Sequence, residues 1–296
     1  MPSSLTLSSP AKLTLVLDII RKREDGYHEV ELVLQELAIH DTITIEALPH
    51  SSEIILSCTD ASVPLNEKNS CHKATILMQN EFASQNPGKP IQGVKIHIDK
   101  KIPSAGGLGG GSSNSATVLK GLNELWQLNL SKNVLKNLGA KIGSDEVFLI
   151  EGGTCIGLGR GEIVEPIEKC PRLELAIITP PVKVPEKKSA WVYGHFDVNK
   201  VSHHYSIHEM RKAIRSNDPQ KVAEKMGNVF ETLELLEYAV VFALIEGLKQ
   251  MSGVRTSMLA GAGPTVVCVC DSQRTASQII EPFRARGWVA FTTHTV

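Results

Sequence analysis

The chain of 296 residues contains no Cys-x-x-Cys pair: its six cysteines, Cys58, Cys71, Cys155, Cys170, Cys268 and Cys270, stand far apart or alternate. That spacing excludes the usual zinc and dithiol motifs and fits a reducing compartment. Charge of one sign is also missing. The formal net charge is -1 at pH 7 and the Lys and Arg residues are scattered, so the electrostatic footprint of a nucleic-acid or acidic-membrane binder is absent. No apolar run approaches the roughly 18 residues that a membrane-crossing helix needs, and Met1 to Ser9 lack a basic region followed by an apolar one. No nucleic acid and no membrane is expected as a partner. A reducing cytoplasm is expected, or an organelle if a targeting peptide has been removed.

A hydrophobic share of 42% and a charged share of 21% describe an ordinary globular chain, long enough for two domains. Strand patterns cover Leu5 to Ile20 and Glu29 to Glu46, with a turn over Arg21 to Gly26, and continue at Glu53 to Cys58. Helical spacing predicts Cys71 to Phe82, a helix opening near Ser112 or Ser113, and Lys132 to Ile142. Val94, Ile96 and Ile98 alternate with polar residues as in a half-buried strand. Pro166 to Pro171 reads as a boundary, dividing the chain into 1–168 and 169–296. Beyond it the pattern predicts a strand from Leu173 to Thr179, then helices over Ser206 to Ser216, Pro219 to Leu235 and Tyr238 to Met251. Strand Thr265 to Cys270, helix Thr275 to Arg286 and strand Trp288 to Thr293 complete the reading. Strands and helices without strict alternation predict an α+β fold. Cys268 and Cys270 share one face of their strand as small core residues.

The densest chemical signal is Pro103-Ser-Ala-Gly106-Gly107-Leu108-Gly109-Gly110-Gly111-Ser112-Ser113, with five glycines in the six positions from 106 to 111. Absent Cβ atoms let backbone N–H groups approach a phosphate, the serines add hydroxyl donors, and the following helix aims its positive end at the anion. A flexible linker is the plain alternative, but linkers are not flanked by a strand and an amphipathic helix. No Lys follows the glycines, so the Walker pattern is absent, and no suitably placed acidic residue supports a Rossmann fingerprint.

Pro103 to Ala116 resembles the central motif of the GHMP kinases, and Pro10-Ala-Lys-Leu-Thr-Leu15 followed by Arg23-Glu-Asp-Gly-Tyr-His28 resembles the opening of a member that acts on a cytidine-diphosphate alcohol. The resemblance runs from about Pro10 to Gly161 and then thins. It implies a two-domain α+β GHMP kinase fold: an N-terminal nucleotide-binding α/β domain, a C-terminal ferredoxin-like α/β domain, and an active site in the cleft between them. It implies ATP with magnesium, a small-molecule cytidine diphosphate substrate, and a monomer or weak homodimer.

Phosphoryl transfer to an alcohol needs a carboxylate to take the hydroxyl proton. The resemblance places Asp145 in that role and Lys12 beside the acceptor oxygen, with Thr14 where the family usually has Asn. It assigns Tyr27 and His28 to the cytidine end, Ser189 and Tyr193 to the completion of that pocket, and Asn69 and Lys100 to the neighbourhood of the nucleotide. Gly261 and Gly263 would bring backbone N–H groups to the substrate's diphosphate. A buried strand Tyr, a solvated Lys and a tight hairpin are the plain readings of Tyr27, Lys12 and Gly261 to Gly263. Of His203, His204 and His208, the last two would share a helix face at i,i+4 spacing, but without an H-E-x-x-H pattern the segment reads as a solvated polar face.

The chain departs from the family pattern at Glu146-Val147, where Val-Pro usually follows the aspartate, and at Ala260 and Ala262, which replace hydroxyl residues. The rival readings are a kinase of the homoserine or phosphomevalonate type and a binding protein that kept the fold without catalysis.

Overall fold

The computed structural model describes residues 3–296 except Ala105, Val184, Glu186, Ser202 and Glu234, so the glycine-rich motif is described on either side of Ala105. In chain order the elements are β1 (Ser4–Lys22), β2 (His28–Leu48), β3 (Ile54–Cys58), α1 (Ser70–Gln85), β4 (Gly93–Asp99), α2 (Gly110–Leu125) and α3 (Lys132–Ala140). Next come α4 (Ser144–Glu151), β5 (Thr154–Leu158), β6 (Ile163–Pro166), β7 (Glu174–Thr179), α5 (Lys188–His195), α6 (Ile207–Arg215) and α7 (Pro219–Lys225). The chain ends with β8 (Gly227–Asn228), α8 (Ala239–Lys249), β9 (Val254–Leu259), β10 (Val266–Cys270), α9 (Gln273–Ala285) and β11 (Val289–His294). No helix among the described residues is long and apolar enough to cross a membrane.

Two compact units interleave in sequence. The first takes residues 1–11, 39–105 and 109–152, and the second takes 12–38, 106–108 and 153–296.

In the first unit the strands run in the order β3-β4-β2-β1. β4 pairs antiparallel with the later part of β2, Ile45 opposite Ile96, and parallel with β3. Ile43, Ile45, Val94, Ile96 and Ile98 are at most 1% exposed, as the alternation of β4 predicts. Each such side chain contributes about 1.5–3 kcal/mol by leaving water. Helices α1 and α2 pack together, and α4 packs on both α2 and α3. The Asn69 side chain caps α1 by accepting from the Cys71 amide at 2.9 Å, and the Ser131 hydroxyl caps α3.

In the second unit β5 pairs antiparallel with the early part of β2, Leu34 opposite Cys155, and continues into β6. Four strands form a separate antiparallel sheet, β11-β7-β10-β9, against which α8 and α9 pack. The connection from β7 through helices to the β9–β10 pair, then α9 and β11, is the split βαβ arrangement of a ferredoxin-like sheet. Ile177 faces Val267 and Ala176 faces Cys268 across its centre, all at 0% exposure. Cys268 and Cys270 are buried at alternating positions with their sulfurs 3.9 Å apart, as the strand pattern predicts. Ser206 and Glu209 begin α6 with a serine cap, and Asp218 followed by Pro219 begins α7.

Several elements differ from expectation, and β5 and β6 answer to no expected strand. The helix expected over Pro219 to Leu235 stops at Lys225. Gly227 then sits against the Tyr205 ring, where any Cβ would overlap it, so the chain extends as β8 beside Val16 and Leu17. Single helical turns follow it. The short helix α4, bounded by Gly143 and Gly152, and the helix α5 between β7 and α6 answer to no expected element. His204 lies before α6 and so shares no helix face with His208. Its ring nitrogen is 3.0 Å from the buried Asp18 carboxylate, which also accepts the Tyr205 amide.

Candidate functional site

Gly109 adopts a left-handed conformation, φ 71°, and opens α2 with no side-chain cap. The first-turn amides are therefore left to another acceptor, the arrangement an anion exploits. Among the described residues a Cβ at Gly111 would meet only the Ser70 hydroxyl at 3.9 Å, which leaves that face open to them, and Ser70 itself donates to the Gly111 carbonyl at 2.9 Å. Ser112 is half-buried at the same end. Ser113 is buried and accepts a hydrogen bond from Ser9 at 2.8 Å, which fixes the end of the first turn. The helix opens two to three residues before the expected Ser112 or Ser113, because the glycines themselves form its first turn. Before the glycines, Pro103 is half-buried and Ser104 donates to Asp60.

Beneath this turn lies a carboxylate that sequence reasoning missed. Asp41 is wholly buried and accepts four hydrogen bonds: from the Lys100 ammonium at 2.5 Å, from Asn114 at 2.8 Å, and from the amides of Lys101 and Ile102 at 2.7 and 2.8 Å. Lys100 is thus ion-paired rather than free, its ammonium 2.9 Å from where a Gly110 Cβ would stand. Asn69 is occupied by the α1 cap and by the Pro64 carbonyl. No period or motif marks Asp41, because its role is set by partners about 60 and 73 residues away.

Asp145 stands in the first turn of α4, where a carboxylate gains from the helix dipole. Its neighbour Glu146 is 2% exposed. Glu146 Oε1 accepts from the Ser115 hydroxyl at 2.9 Å, while Oε2 has no hydrogen-bond partner among the described residues. Burial, then the charge of Asp145, pushes the Glu146 carboxyl up to about 7, with hydrogen bonds from Ser115 and Ser112 pulling the other way.

In the second unit Lys12 is buried in β1, so it is not a solvated strand lysine. Its amide donates to the Leu108 carbonyl at 2.9 Å and its ammonium donates to the Thr14 hydroxyl at 3.2 Å. Buried Gly106 and Leu108 flank Gly107, whose φ of 87° brings it against the Ala260 carbonyl so closely that a Cβ would overlap that oxygen. The turn over Ala260 to Gly263 has Gly261 and Gly263 at φ 53° and 68°. Asn228, fully buried and also missed in the sequence, donates to the Leu259 and Gly261 carbonyls at 2.9 and 2.7 Å. Tyr238 donates to Ala262, and the Lys188 ammonium donates to the Gly263 carbonyl.

His28, at the start of β2, and Tyr193, on α5, have ring centroids 5.3 Å apart at 34°. Phe196 and Phe230 close around them edge-on, Tyr193 to Phe230 at 4.8 Å. Burial, followed by the charge of Lys22, lowers the His28 pKa. Tyr27 is 56% exposed and points away from a buried-core role. The Arg160 guanidinium covers its ring at 4.7 Å. Ser189 is exposed in the first turn of α5.

The chain matches the family model described as GHMP kinases N terminal domain over residues 69–153 and the one described as GHMP kinases C terminal over residues 210–287. A protein of Geobacillus kaustophilus named 4-diphosphocytidyl-2-C-methyl-D-erythritol kinase is 39% identical over 262 residues, 88% of this chain and 87% of that one. A protein of the same name from Acetivibrio thermocellus is 34% identical over 293 residues, 99% of each chain. A crystal structure of 4-(cytidine 5'-diphospho)-2C-methyl-D-erythritol kinase shares the fold with a TM-score of 0.77 at 24% identity, covering 98% of this chain and 99% of that one. With relatives matched over 88% and 99% of its length, the chain belongs to the GHMP kinase family, in the group of the 4-diphosphocytidyl-2-C-methyl-D-erythritol kinases.

Proposed function

We propose that this chain transfers the γ-phosphoryl group of ATP to the 2-hydroxyl of 4-diphosphocytidyl-2-C-methyl-D-erythritol, a step of non-mevalonate isoprenoid biosynthesis. The observation that carries the assignment is the near full-length identity to kinases of that name. The uncapped α2 N-terminus and the His28–Tyr193 ring pair each fit one end of the reaction.

The Gly106 to Ser113 loop, with Pro103 leading into it, is assigned to the ATP phosphates. The open face at Gly111 and the uncapped first turn of α2 fit a triphosphate. Lys100 and Asn69 act on the nucleotide end from behind, Lys100 through Asp41 and Asn69 through α1. Bound ATP supplies the phosphoryl donor. Magnesium accompanies it as counter-ion to its phosphates.

Asp145 is assigned as the group that accepts the hydroxyl proton, and Lys12, with Thr14, as the group that orients the acceptor oxygen. His28, Tyr193 and Tyr27 hold the cytosine, with Ser189 at the edge of that pocket. The turn with Gly261 and Gly263 faces the diphosphate. Its carbonyls are already engaged by Asn228, Tyr238 and Lys188, while the amides of Gly261 and Ala262 donate to no described residue. We further propose an ATP-binding domain over residues 1–168, which also lends Lys12, Thr14, Tyr27 and His28 to the substrate, and a substrate-binding domain over 169–296; the two matched segments fall on either side of that boundary. A bacterial cytoplasmic monomer or weak homodimer completes the reading, in keeping with the bacterial sources of the relatives.

A panel assay of ADP release tests the assignment. Turnover with 4-diphosphocytidyl-2-C-methyl-D-erythritol, and none with homoserine, mevalonate or phosphomevalonate, is the expected result. Turnover of one of the others in its place, or of none, overturns it.

A further inference from the structure

The cation over Tyr27 is built into the fold. Arg160 occupies the turn between β5 and β6, with Gly159 and Gly161 at φ 72° and 99°. The Gly159 carbonyl accepts the Val30 amide at 2.8 Å, so the turn is fixed to β2 two residues past His28. Glu162 accepts the Arg160 amide at 2.5 Å and stands 3.5 Å from its Nε. This tether holds the inner side of the guanidinium. Neither terminal nitrogen makes a hydrogen bond among the described residues.

The neighbouring arginines differ. Arg23 is engaged by Asp25 and Glu29, at 3.1 and 3.0 Å, and Arg21 is 3.4 Å from the same Glu29. Lys22 is exposed, and its charge acts on His28. Arg160 thus combines a fixed backbone, a stacked guanidinium and open in-plane donors. A guanidinium stacked on an aromatic face keeps its N–H fork available around its rim, the geometry that suits a phosphate.

We propose that Arg160 is a specificity-determining residue that reads the diphosphate of the cytidine substrate while stacked on Tyr27. The inference rests on the substrate reading above and assigns that substrate's anionic part to a named side chain. Arg160 should then discriminate a nucleoside diphosphate from the bare nucleoside, because its contribution is charge-assisted hydrogen bonding rather than ring area.

The test uses the full chain with Arg160→Ala and Arg160→Lys, their thermal midpoints matched to the parent. Calorimetry measures cytidine, CMP and CDP, and steady-state kinetics use 4-diphosphocytidyl-2-C-methyl-D-erythritol. The alanine variant should bind CDP about 10-fold or more weakly and raise KM by a similar factor. Its kcat and its binding of cytidine should stay near parental, and lysine should recover part of the loss. Equal losses for cytidine and CDP would mean that Arg160 acts only by holding Tyr27, and unchanged CDP binding would mean that it does not act; either result overturns the proposal. A parent chain that binds ATP but none of the cytidine compounds overturns the substrate reading, and this inference with it.

Discussion

The Ser115 hydroxyl lies 2.9 Å from Glu146 Oε1, on a buried carboxyl whose Oε2 has no described partner and would stand 2.6 Å from a Cβ at Gly143. The fold therefore favours the protonated form. With the folded pKa raised from 4.5 to about 7, folded Glu146 keeps a proton that the unfolded chain has released. The contribution is fully present below the unfolded value and is lost as pH rises through the folded one. Its total is about 3 kcal/mol. Glu146→Gln should hold its urea midpoint between about pH 5 and about pH 8, where the parent declines. Parallel profiles of the two proteins would show that Glu146 ionises freely in the fold.

Asp41→Asn leaves the buried Lys100 ammonium without its counter-charge, at a cost of about 3–5 kcal/mol. It should also weaken ATP binding, because the oxygen that accepts from Lys100 and Asn114 becomes an N–H donor, while the oxygen that accepts the Lys101 and Ile102 amides remains. Thermal unfolding and nucleotide titration together check this. A destabilised variant with parental ATP affinity would limit Asp41 to stability.

Asp145→Asn keeps the size of the side chain and removes the carboxylate proposed above as the base. Turnover should fall by about 10²–10⁴-fold, with ATP binding retained. Single-turnover kinetics and a nucleotide titration check the two halves, and undiminished turnover removes Asp145 as the base.

Gly107→Ala combines a left-handed backbone with overlap against the Ala260 carbonyl. Gly88→Ala is its control, since φ is 82° and none of the described residues lies within 4 Å of the added Cβ. The control should lose about 1–2 kcal/mol and keep its activity. Gly107→Ala should lose more stability and most of its turnover. Equal effects of the two variants would show that contact with Ala260 has no part.

The strands and the glycine-rich loop were legible in the sequence because their signals are local. Val94, Ile96 and Ile98 alternate as they bury, and the glycines announce a close backbone approach. Asp41, Asn228 and Phe230 were not legible, since each acquires its role from partners distant in the chain. The overlong helix past Lys225 failed for the same reason: the Tyr205 ring, 22 residues earlier, decides the conformation at Gly227. Arg160 carried no periodic or motif signal of its own, and only the pairing of β5 with β2 brings it to Tyr27.

Asn228 gives the Gly261 to Gly263 turn a dependence that matters for protein engineering. Grafted into another kinase without an amide at the equivalent of Asn228, the turn would carry two stranded carbonyls, each costing about 1–3 kcal/mol. The turn is not a portable cassette. A chimera that exchanges substrate preference must transplant the whole stretch from 228 to 265 as one inheritance.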